Sequence, residues 1–568
     1  MARKRRNKAP EFDSDSESDS YSDSSTEGFD AMSQYALESP TAAIERFRSL
    51  YMDLGSDTVH GEGHPLVTLG AVLSQRLFKV DGGAGDYWRA CIETELLLLL
   101  LDIIVDPNFF RHDRIFSDIV IICLSAFSRS WANTHPEESG PDCTTIPETV
   151  AEIFWERIED VWDILWVGRE NLRWPVRHST GRVLDAVEGL VDDVRYLRYG
   201  PPDWIDDDPD AGLLIKSSIL RLGFYTWVFG DLKISHNEGL VVFTCVCRLR
   251  DERGAGLTNL VADLVDIIGG DQIVGHIHDT LKGPSRLVGD TVRNCFIALE
   301  AFLEHGGNSI LDAYHRKPLC LATCVALRRH QARRQRPSLD RWHLRQDIRL
   351  WMEASTQIIQ SCRSFLLESL PPPPTKGHEL MTLLIHGIGL IFAFYDLEQP
   401  SEKQGRLLSA RTLPEDTEKC AERLKTCIGA LCESIQSSRT GAMGCPRSVI
   451  DELCASKASW YALLFRLHRY PRATLDTSAA LRMVVQSWMQ LGLALAFFTS
   501  SGNNDAAALR ARLCFWSRCE FHQRPSPKPL SVCKGCHDAW YCSKTCQRSD
   551  WKEGHRVECR RLMELDRQ

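Results

Sequence analysis

The sequence lacks the signatures of several common functional classes. Its 568 residues contain no phosphate-binding glycine loop, no Gly-x-Ser-x-Gly nucleophile motif and no kinase signature. The N-terminus has no apolar stretch of the kind that opens a secretory signal. The longest apolar run, Leu380 to Tyr395, contains His386 and is shorter than a membrane span. We therefore predict an intracellular protein that is not an enzyme, with no catalytic residues and no membrane segment.

The long central part of the chain also lacks the alternating apolar pattern and hairpin turns that mark β-strands. Apolar residues instead recur at helical spacing, for example Val288, Val292 and Cys295. Proline-rich breakers such as Pro201–Pro209 separate these stretches. The sequence therefore predicts a mostly α protein with an all-helical body over residues 41–510. That body is one or two large domains, or a degenerate helical array of the ARM/HEAT type.

Residues 1–40 have a different composition. The cluster Arg3–Arg6 is followed by alternating acids and serines from Asp13 to Ser25. Such a segment has too little apolar surface to offset the entropy cost of ordering, so we predict a disordered tail. The basic cluster is typical either of a nuclear import signal or of a solubilising terminus. We predict a nuclear or cytoplasmic location, with the nucleus favoured.

The cysteines divide into two populations. Fourteen of the 21 are scattered, many of them in apolar helical stretches such as those around Cys123 and Cys295. This distribution is typical of reduced, buried thiols in an intracellular protein and not of a disulfide framework. The other seven lie between Cys514 and Cys559, together with His555. The C-terminal population therefore needs a separate explanation.

Spacing within this second population indicates metal binding. The pairs in chain order are Cys514-x4-Cys519, Cys533-x2-Cys536, Cys542-x3-Cys546 and His555-x3-Cys559. A Cys-x2-Cys turn aims two sulfurs at one point, and an x3 spacing places two side chains one helical turn apart. Eight ligands fill two tetrahedral Zn²⁺ sites and leave no position for water, which is typical of structural zinc. Spacing alone allows either a sequential or a crossed pairing of the four pairs.

The residues between the ligands resemble the MYND zinc finger. The matching features are Trp540-Tyr541-Cys542, Cys546-Gln547 followed by Trp551, and the final His555-x3-Cys559. The Trp551-x3-His555 spacing is one residue longer than the commonest pattern, and the first cysteine pair is x4 instead of x2. The resemblance covers residues 511–562 and implies nothing about the body.

The resemblance implies a crossed arrangement of the ligand pairs. In the family the first and third pairs bind one metal, and the second and fourth bind the other. One implied site is Cys514, Cys519, Cys542 and Cys546, and the other is Cys533, Cys536, His555 and Cys559.

The family also binds short Pro-rich peptides, and its peptide contacts match Gln547 and Trp551 here. Trp551 is equally interpretable as an aromatic that packs under the second zinc. A lysine methyltransferase of the SET type, in which such fingers also occur, is excluded because the chain has no Asn-His-x-Cys segment.

Together these features predict a zinc-binding adaptor that recruits a protein partner carrying a Pro-containing peptide. The alternative is a nucleic-acid-binding or transcription-associated zinc finger protein. Residues 510–568 contain 13 Lys/Arg and 7 Asp/Glu. The deprotonated cysteines reduce this excess of positive charge even with two zincs bound.

In the body, His276-Ile277-His278 has the form of a metal-binding pair. Its position between helical stretches instead indicates a surface helix.

Overall fold

Helices form nearly all of the regular structure in the described part of the chain, as the apolar periodicity predicts. The computed structural model describes residues 24–54, 58–59, 61, 64–77, 86–133, 146–173, 180–199, 218–230, 240–241, 243–244, 247, 254–283, 289–333, 341–367, 372–398, 415–468, 478–497, 514–516, 518–522, 526–536, 539–556 and 559. The cluster Arg3–Arg6 and the acidic serine repeat up to residue 23 lie outside these ranges.

The chain separates into two compact units, Met1–Pro202 and Asp203–Gln568. The boundary between them falls in the proline-rich breaker at 201–209. The helices of the first unit are α1 (Ser24–Glu38), α2 (Pro40–Met52), α3 (Pro65–Leu77), α4 (Asp86–Glu93), α5 (Leu96–Val105), α6 (Arg114–Ala132), α7 (Glu148–Val167), α8 (Arg169–Arg173) and α9 (Thr180–Tyr199), with a 3-10 turn at Phe109–Arg111.

The second unit contains a longer series of helices and then the cysteine-rich segment. Its helices are α10 (Ser218–Phe229), α11 (Gly254–Ile268), α12 (Gly270–Lys282), α13 (Gly289–His305), α14 (Gly307–Arg316), α15 (Leu319–Arg333), α16 (Arg341–Ala354), α17 (Thr356–Phe365), α18 (Gly377–Glu398), α19 (Glu415–Arg439), α20 (Arg447–Ala455), α21 (Lys457–His468), α22 (Ala479–Ala494) and α23 (Lys544–Asp550). Two short strands, β1 (Ser531–Val532) and β2 (Trp540–Tyr541), and a π-helical turn, Trp551–His555, complete the described elements.

Helix α6 lies at the centre of the first unit. The residue before it, Asp113, accepts a hydrogen bond from the N–H of Ile115 at 2.9 Å through its side chain and so caps the first turn. Its apolar residues, among them Val120, Leu124 and Phe127, are buried against α3, α5 and α9. Because α6 is buried on several sides, apolar residues occupy most of its circumference.

Buried tryptophans join the helices of the second unit. The indole N–H of Trp351 on α16 donates to the carbonyl of Leu383 on α18 at 2.8 Å. A Cβ on Gly387 would overlap this indole, so the glycine allows the close approach of the two helices. Trp460 and Trp488 each donate to the other's carbonyl at 3.1 Å and so tie α21 to α22. A buried indole N–H needs such a partner.

The ordered structure starts earlier than the sequence predicts. Helix α1 occupies residues 24–38, which the prediction places in the disordered tail. Ala36 is buried and Met32 half-buried, and Nη2 of Arg76 on α3 donates to Oγ of Ser33 at 2.5 Å. Helix α1 therefore precedes residue 41, the predicted start of the helical body. The residues before α1 are rich in acids and serines. This composition hides the apolar residues at helical spacing that begin just after it.

Most of the described body cysteines are buried, and the described cysteines form no disulfide. Burial raises the pKa of thiols such as Cys123, which keeps them protonated.

Two helices, α6 and α18, contain apolar windows long enough to cross a membrane, and 67% of each window is buried inside the structure. The apolar run at Leu380–Tyr395 lies within α18 and packs against α16, α19 and α20.

The end of α22 provides a test of backbone strain. Exposed Ala496 has a φ of 55°, and the next N–H, of Phe497, donates to the carbonyl of Gly492 at 2.8 Å to close the helix. Glycine adopts this left-handed conformation without the Cβ clash. Ala496→Gly should therefore raise the free energy of unfolding by about 0.5–1 kcal/mol in denaturant titrations. Ala479→Gly, exposed at the start of the same helix, is the control and should give no gain. Equal stability of the Ala496 variant and the wild type would contradict this explanation.

A buried carboxyl on α9 gives a pH-dependent test. Asp193 is 9% exposed, and its Oδ2 accepts a hydrogen bond from Oγ of Ser128 on α6 at 3.3 Å. Burial raises the pKa of Asp193 to about 7, although Arg129, 4.0 Å away, opposes the shift. An unfolded aspartate titrates near about 3.9. The stabilisation from the protonated form is therefore complete below about pH 4 and is lost as the pH rises through 7.

Asp193→Asn keeps the neutral form at every pH. We expect the variant to match or exceed the wild-type melting temperature at pH 8, and to show a smaller loss of stability between pH 5 and pH 8. Thermal unfolding followed by circular dichroism at the two pH values measures both effects, with Asp192→Asn as the adjacent control. A variant that is weakened more at pH 8 than at pH 5 would mean that attraction to Arg129 outweighs burial.

Candidate metal centre

A short β-hairpin organises the C-terminal segment. Strands β1 and β2 pair antiparallel, with Ser531 opposite Tyr541 and Val532 opposite Trp540. The N–H of Cys533 donates to the carbonyl of Ala539 at 2.7 Å and extends the ladder past β1. Cys533 and Cys536 therefore lie on the hairpin turn, and Cys542 directly follows β2.

The segments before and after the hairpin are attached to it by backbone hydrogen bonds and a helix cap. Upstream, the N–H of Phe515 donates to the carbonyl of Trp540 at 2.6 Å, which places Cys514 beside β2. Downstream, Oγ of Ser543 accepts from the N–H of Cys546 at 3.1 Å and caps α23. This cap starts the helix so that Cys546 returns towards Cys542.

The structure gathers the eight predicted side chains into two groups of four. In each group, one ligand atom per residue lies within 4.8 Å of all the others. The first group is Cys514, Cys519, Cys542 and Cys546, and the second is Cys533, Cys536, His555 and Cys559. The pairing is therefore crossed, with the first and third pairs together and the second and fourth together. The sequential alternative is excluded.

Distances within the groups fit tetrahedral zinc. A Zn–S bond of about 2.3 Å places tetrahedral sulfurs roughly 3.8 Å apart. The Sγ of Cys542 lies 3.4 Å from the Sγ atoms of Cys519 and Cys546. In the second group the Cys533 and Cys559 sulfurs are 3.8 Å apart. The residues present thus fit two zinc ions. Four protein ligands close each site, which is the arrangement of structural zinc.

The second group uses Nε2 of His555 as its nitrogen ligand. This atom lies 3.4 Å from the Sγ of Cys533 and 3.7 Å from that of Cys536. The opposite ring atom, Nδ1, is 4.0 Å from Oδ2 of Asp550. A carboxylate behind a metal-binding histidine orients the ring and makes the ligand more basic. At 4.0 Å this separation is too long for a hydrogen bond, so Asp550 acts on the ring of His555 through its charge.

Tyr541 holds Asp550 in place. Its hydroxyl donates to Oδ2 of Asp550 at 2.7 Å, and its ring lies edge-on to that of His555. Burial, followed by this hydrogen bond, raises the pKa of the Tyr541 phenol above its ordinary value, so it stays a donor. In the sequence, Tyr541 stands out only as a family feature, and nothing there marks Asp550. A tyrosine and an aspartate nine residues apart give no spacing signal that would pair them.

The unusual spacing before His555 has a structural cause. Residues Trp551–His555 form a π-helical turn directly after α23. A π turn contains about one residue more than an α turn. The additional residue between Trp551 and His555 is therefore taken up by wider winding, and the histidine still reaches the site.

The side chain of Trp551 is packed on one side and exposed on the other. Its ring lies edge-on to that of His555, with centroids 5.8 Å apart, so one side packs on the second metal group. The residue is nevertheless 42% exposed. Gln547 is half-buried and precedes it by four residues, which places the two on one helical face. Their role as peptide contacts remains a prediction.

The histidine pair in the body does not form part of such a group. His276 and His278 lie on α12, where His278 is buried and His276 packs edge-on against Trp227. The prediction of a helix is right, but the surface position is wrong for His278. Burial lowers the pKa of His276 to about 4, which keeps its ring neutral. Among the described residues no further set of three or more His, Cys, Asp or Glu ligands converges.

Comparison with known proteins identifies the segment and nothing else in the chain. Residues 514–559 match the family model of the MYND finger. No curated protein and no solved structure matches the chain. The resemblance found in the sequence is therefore confirmed for this segment, and the helical body has no assigned relative.

The contact between Asp550 and His555 generates a test of metal affinity. We expect two zincs per wild-type chain by elemental analysis. Asp550→Ala should leave both ligand sets complete but weaken the second site by up to roughly tenfold, the lower end of what a hydrogen-bonded carboxylate contributes. Competition with a chromophoric chelator measures this loss as earlier release of one of the two zincs. The control is Ser549→Ala, next to Asp550. Identical release curves for the Asp550 variant and the wild type would show that the carboxylate does not support the histidine.

Proposed function

We propose that this protein is a non-enzymatic adaptor whose MYND finger recruits a partner through a Pro-containing peptide. MYND domains are generally used for protein interaction, and the present finger has the two metal groups of a folded module. The observation that carries the proposal is the position of Trp551. Its indole is 42% exposed, yet it is held against His555, a buried ligand of the second metal group.

An aromatic side chain held in this way suits peptide docking. The indole already has one face fixed, so little side-chain entropy is lost when a ligand covers the other face. Proline in the ligand lowers the cost further, because a Pro-rich segment is extended before it binds. Gln547, one helical turn earlier, supplies an amide that donates to and accepts from the peptide backbone. Binding by one such module is expected around the micromolar range.

The absence of catalysis is part of the same proposal. Each metal group has four protein ligands, so neither offers the open position on which catalytic zinc depends. The alternative is nucleic-acid binding, based on the excess of six positive charges over residues 510–568. Seven thiolates and two Zn²⁺ subtract three charges from that excess. The remaining charge is small for a phosphate-binding surface, and we therefore favour the peptide.

Substitution of Trp551 tests the proposed groove. Trp551→Ala should weaken binding to an array of Pro-containing peptides at least tenfold, because the exposed indole face is lost. Fluorescence anisotropy with labelled peptides from that array measures the affinity, and elemental analysis confirms that two zincs remain. Lys552→Ala, exposed at the next position, is the control and should bind as the wild type does.

The outcomes separate the alternatives. Unchanged peptide affinity in a Trp551→Ala protein that retains both zincs would reject the groove. Loss of zinc would assign the indole to the core, and Gln547→Ala would then decide whether this face binds peptide. Failure of every peptide, together with DNA or RNA binding that weakens steeply with added salt, would favour the nucleic-acid alternative.

A further inference from the structure

Two basic side chains lie on the same helical face as Gln547 and Trp551. Lys544 and Arg548 are four residues apart on α23, and both are exposed. Positions that follow a first residue by three, four and seven share one face of an α-helix, and Gln547, Arg548 and Trp551 follow Lys544 at these intervals. Trp551 keeps α-helical backbone angles, with φ −59° and ψ −40°, so the spacing extends to it. The face proposed to bind a peptide therefore carries two positive charges.

No described carboxylate neutralises these two charges. The only acidic residue of α23, Asp550, accepts a hydrogen bond from the hydroxyl of Tyr541 at 2.7 Å. Among the described residues, neither Lys544 nor Arg548 forms an ion pair. Two like charges four residues apart on a helix repel each other. A negatively charged ligand would relieve this repulsion in addition to its own attraction to the two side chains.

The two charges are also not directed at the nearby metal group. Four thiolates and one Zn²⁺ give the first group a net charge of −2. Its ligand Cys546 lies two residues from both Lys544 and Arg548, and residues two apart do not face each other on a helix. Cys546 is accordingly buried, whereas the two basic side chains are exposed. The positive charge therefore faces solvent, where a partner can reach it.

The separation of the two charges fits a pair of carboxylates. Cβ atoms four residues apart on a helix lie about 5–6 Å apart. On an extended peptide, side chains at alternate positions point to the same side and lie roughly 6–7 Å apart. Each basic side chain can then meet one acid of an Asp-x-Asp or Glu-x-Glu pair. A single phosphoryl group presents its charge at one point and matches this spacing less well.

We propose that the partner peptide of the MYND finger carries two acidic residues at alternate positions beside its proline, and that Lys544 and Arg548 bind them. This inference rests on the proposed function, in which Gln547 and Trp551 bind the proline-containing part of the peptide. Charge complementarity at an interface contributes more to specificity and to the rate of association than to affinity. The acid pair therefore selects among Pro-containing segments and fixes their direction along the helix.

Three synthetic peptides test the charge of the ligand on the full-length, zinc-loaded protein. All share the Pro-containing core that binds most tightly in the peptide array, and the two alternate positions beside it are Asp, Asn or Lys. We expect fluorescence anisotropy to show the Asp peptide binding roughly threefold to tenfold more tightly than the Asn peptide, as two exposed ion pairs would give. The Lys peptide should bind most weakly. Added salt screens exposed charges and should reduce the preference for Asp without changing the affinity of the Asn peptide.

Reversal of the two charges assigns the preference to this face. The double variant Lys544→Glu/Arg548→Glu should retain two zincs by elemental analysis and bind the Lys peptide more tightly than the Asp peptide. Lys528→Glu/Lys534→Glu makes the same change of charge at two exposed positions outside α23 and is the matched control. This control should keep the wild-type order of affinities. A Lys544→Glu/Arg548→Glu protein with both zincs that still prefers the Asp peptide would overturn the assignment.

The remaining outcomes separate this inference from the proposed function. Equal affinities of the Asp and Asn peptides for the wild type would reject the acid pair. If that shared affinity still falls in Trp551→Ala, the peptide groove stands without it. If no peptide binds, both proposals fall. Should the double variant lose zinc, the comparison of the three peptides on the wild type, with and without added salt, still decides whether the ligand is acidic.

Discussion

The crossing of ligand pairs is the constraint on which the C-terminal segment depends. A stretch of about 50 residues with two strands of two residues each has too little apolar surface to fold by burial alone. Each metal group joins residues far apart in the segment, such as Cys514 with Cys546 and Cys533 with Cys559. Neither half of the segment contains a complete site. Metal binding and folding of the finger are therefore one process.

In the two helical units, the way in which helices pack against each other is determined differently. Their cores are apolar, but the closest contacts between helices include a polar atom or a missing side chain. Trp351 shows both, because its indole donates to Leu383 and rests on Gly387. Trp460 and Trp488 form a reciprocal pair that fixes the axial position of two helices. Apolar burial accounts for the association of such helices, and these hydrogen bonds determine their register.

Much of this architecture could be predicted from the sequence, and the failures have physical causes. Helices follow from apolar spacing, and the metal ligands follow from cysteine spacing, because both are local patterns. Helix α1 lies before the predicted start of the body, because the acidic serines ahead of it hide its apolar positions. Asp550 could not be found, because its contacts with Tyr541 and His555 are set by tertiary packing.

The π-helical turn that ends at His555 lets the number of residues between Trp551 and His555 change while the geometry of the metal ligands stays the same. Winding can absorb one inserted residue without moving the imidazole, so the chain tolerates an insertion at a place where metal sites are usually considered rigid. Related fingers can then differ in length at this position and still share the same coordination. A pattern search with a fixed interval before the histidine would overlook such members. A comparison based on which residues meet in space would retain them.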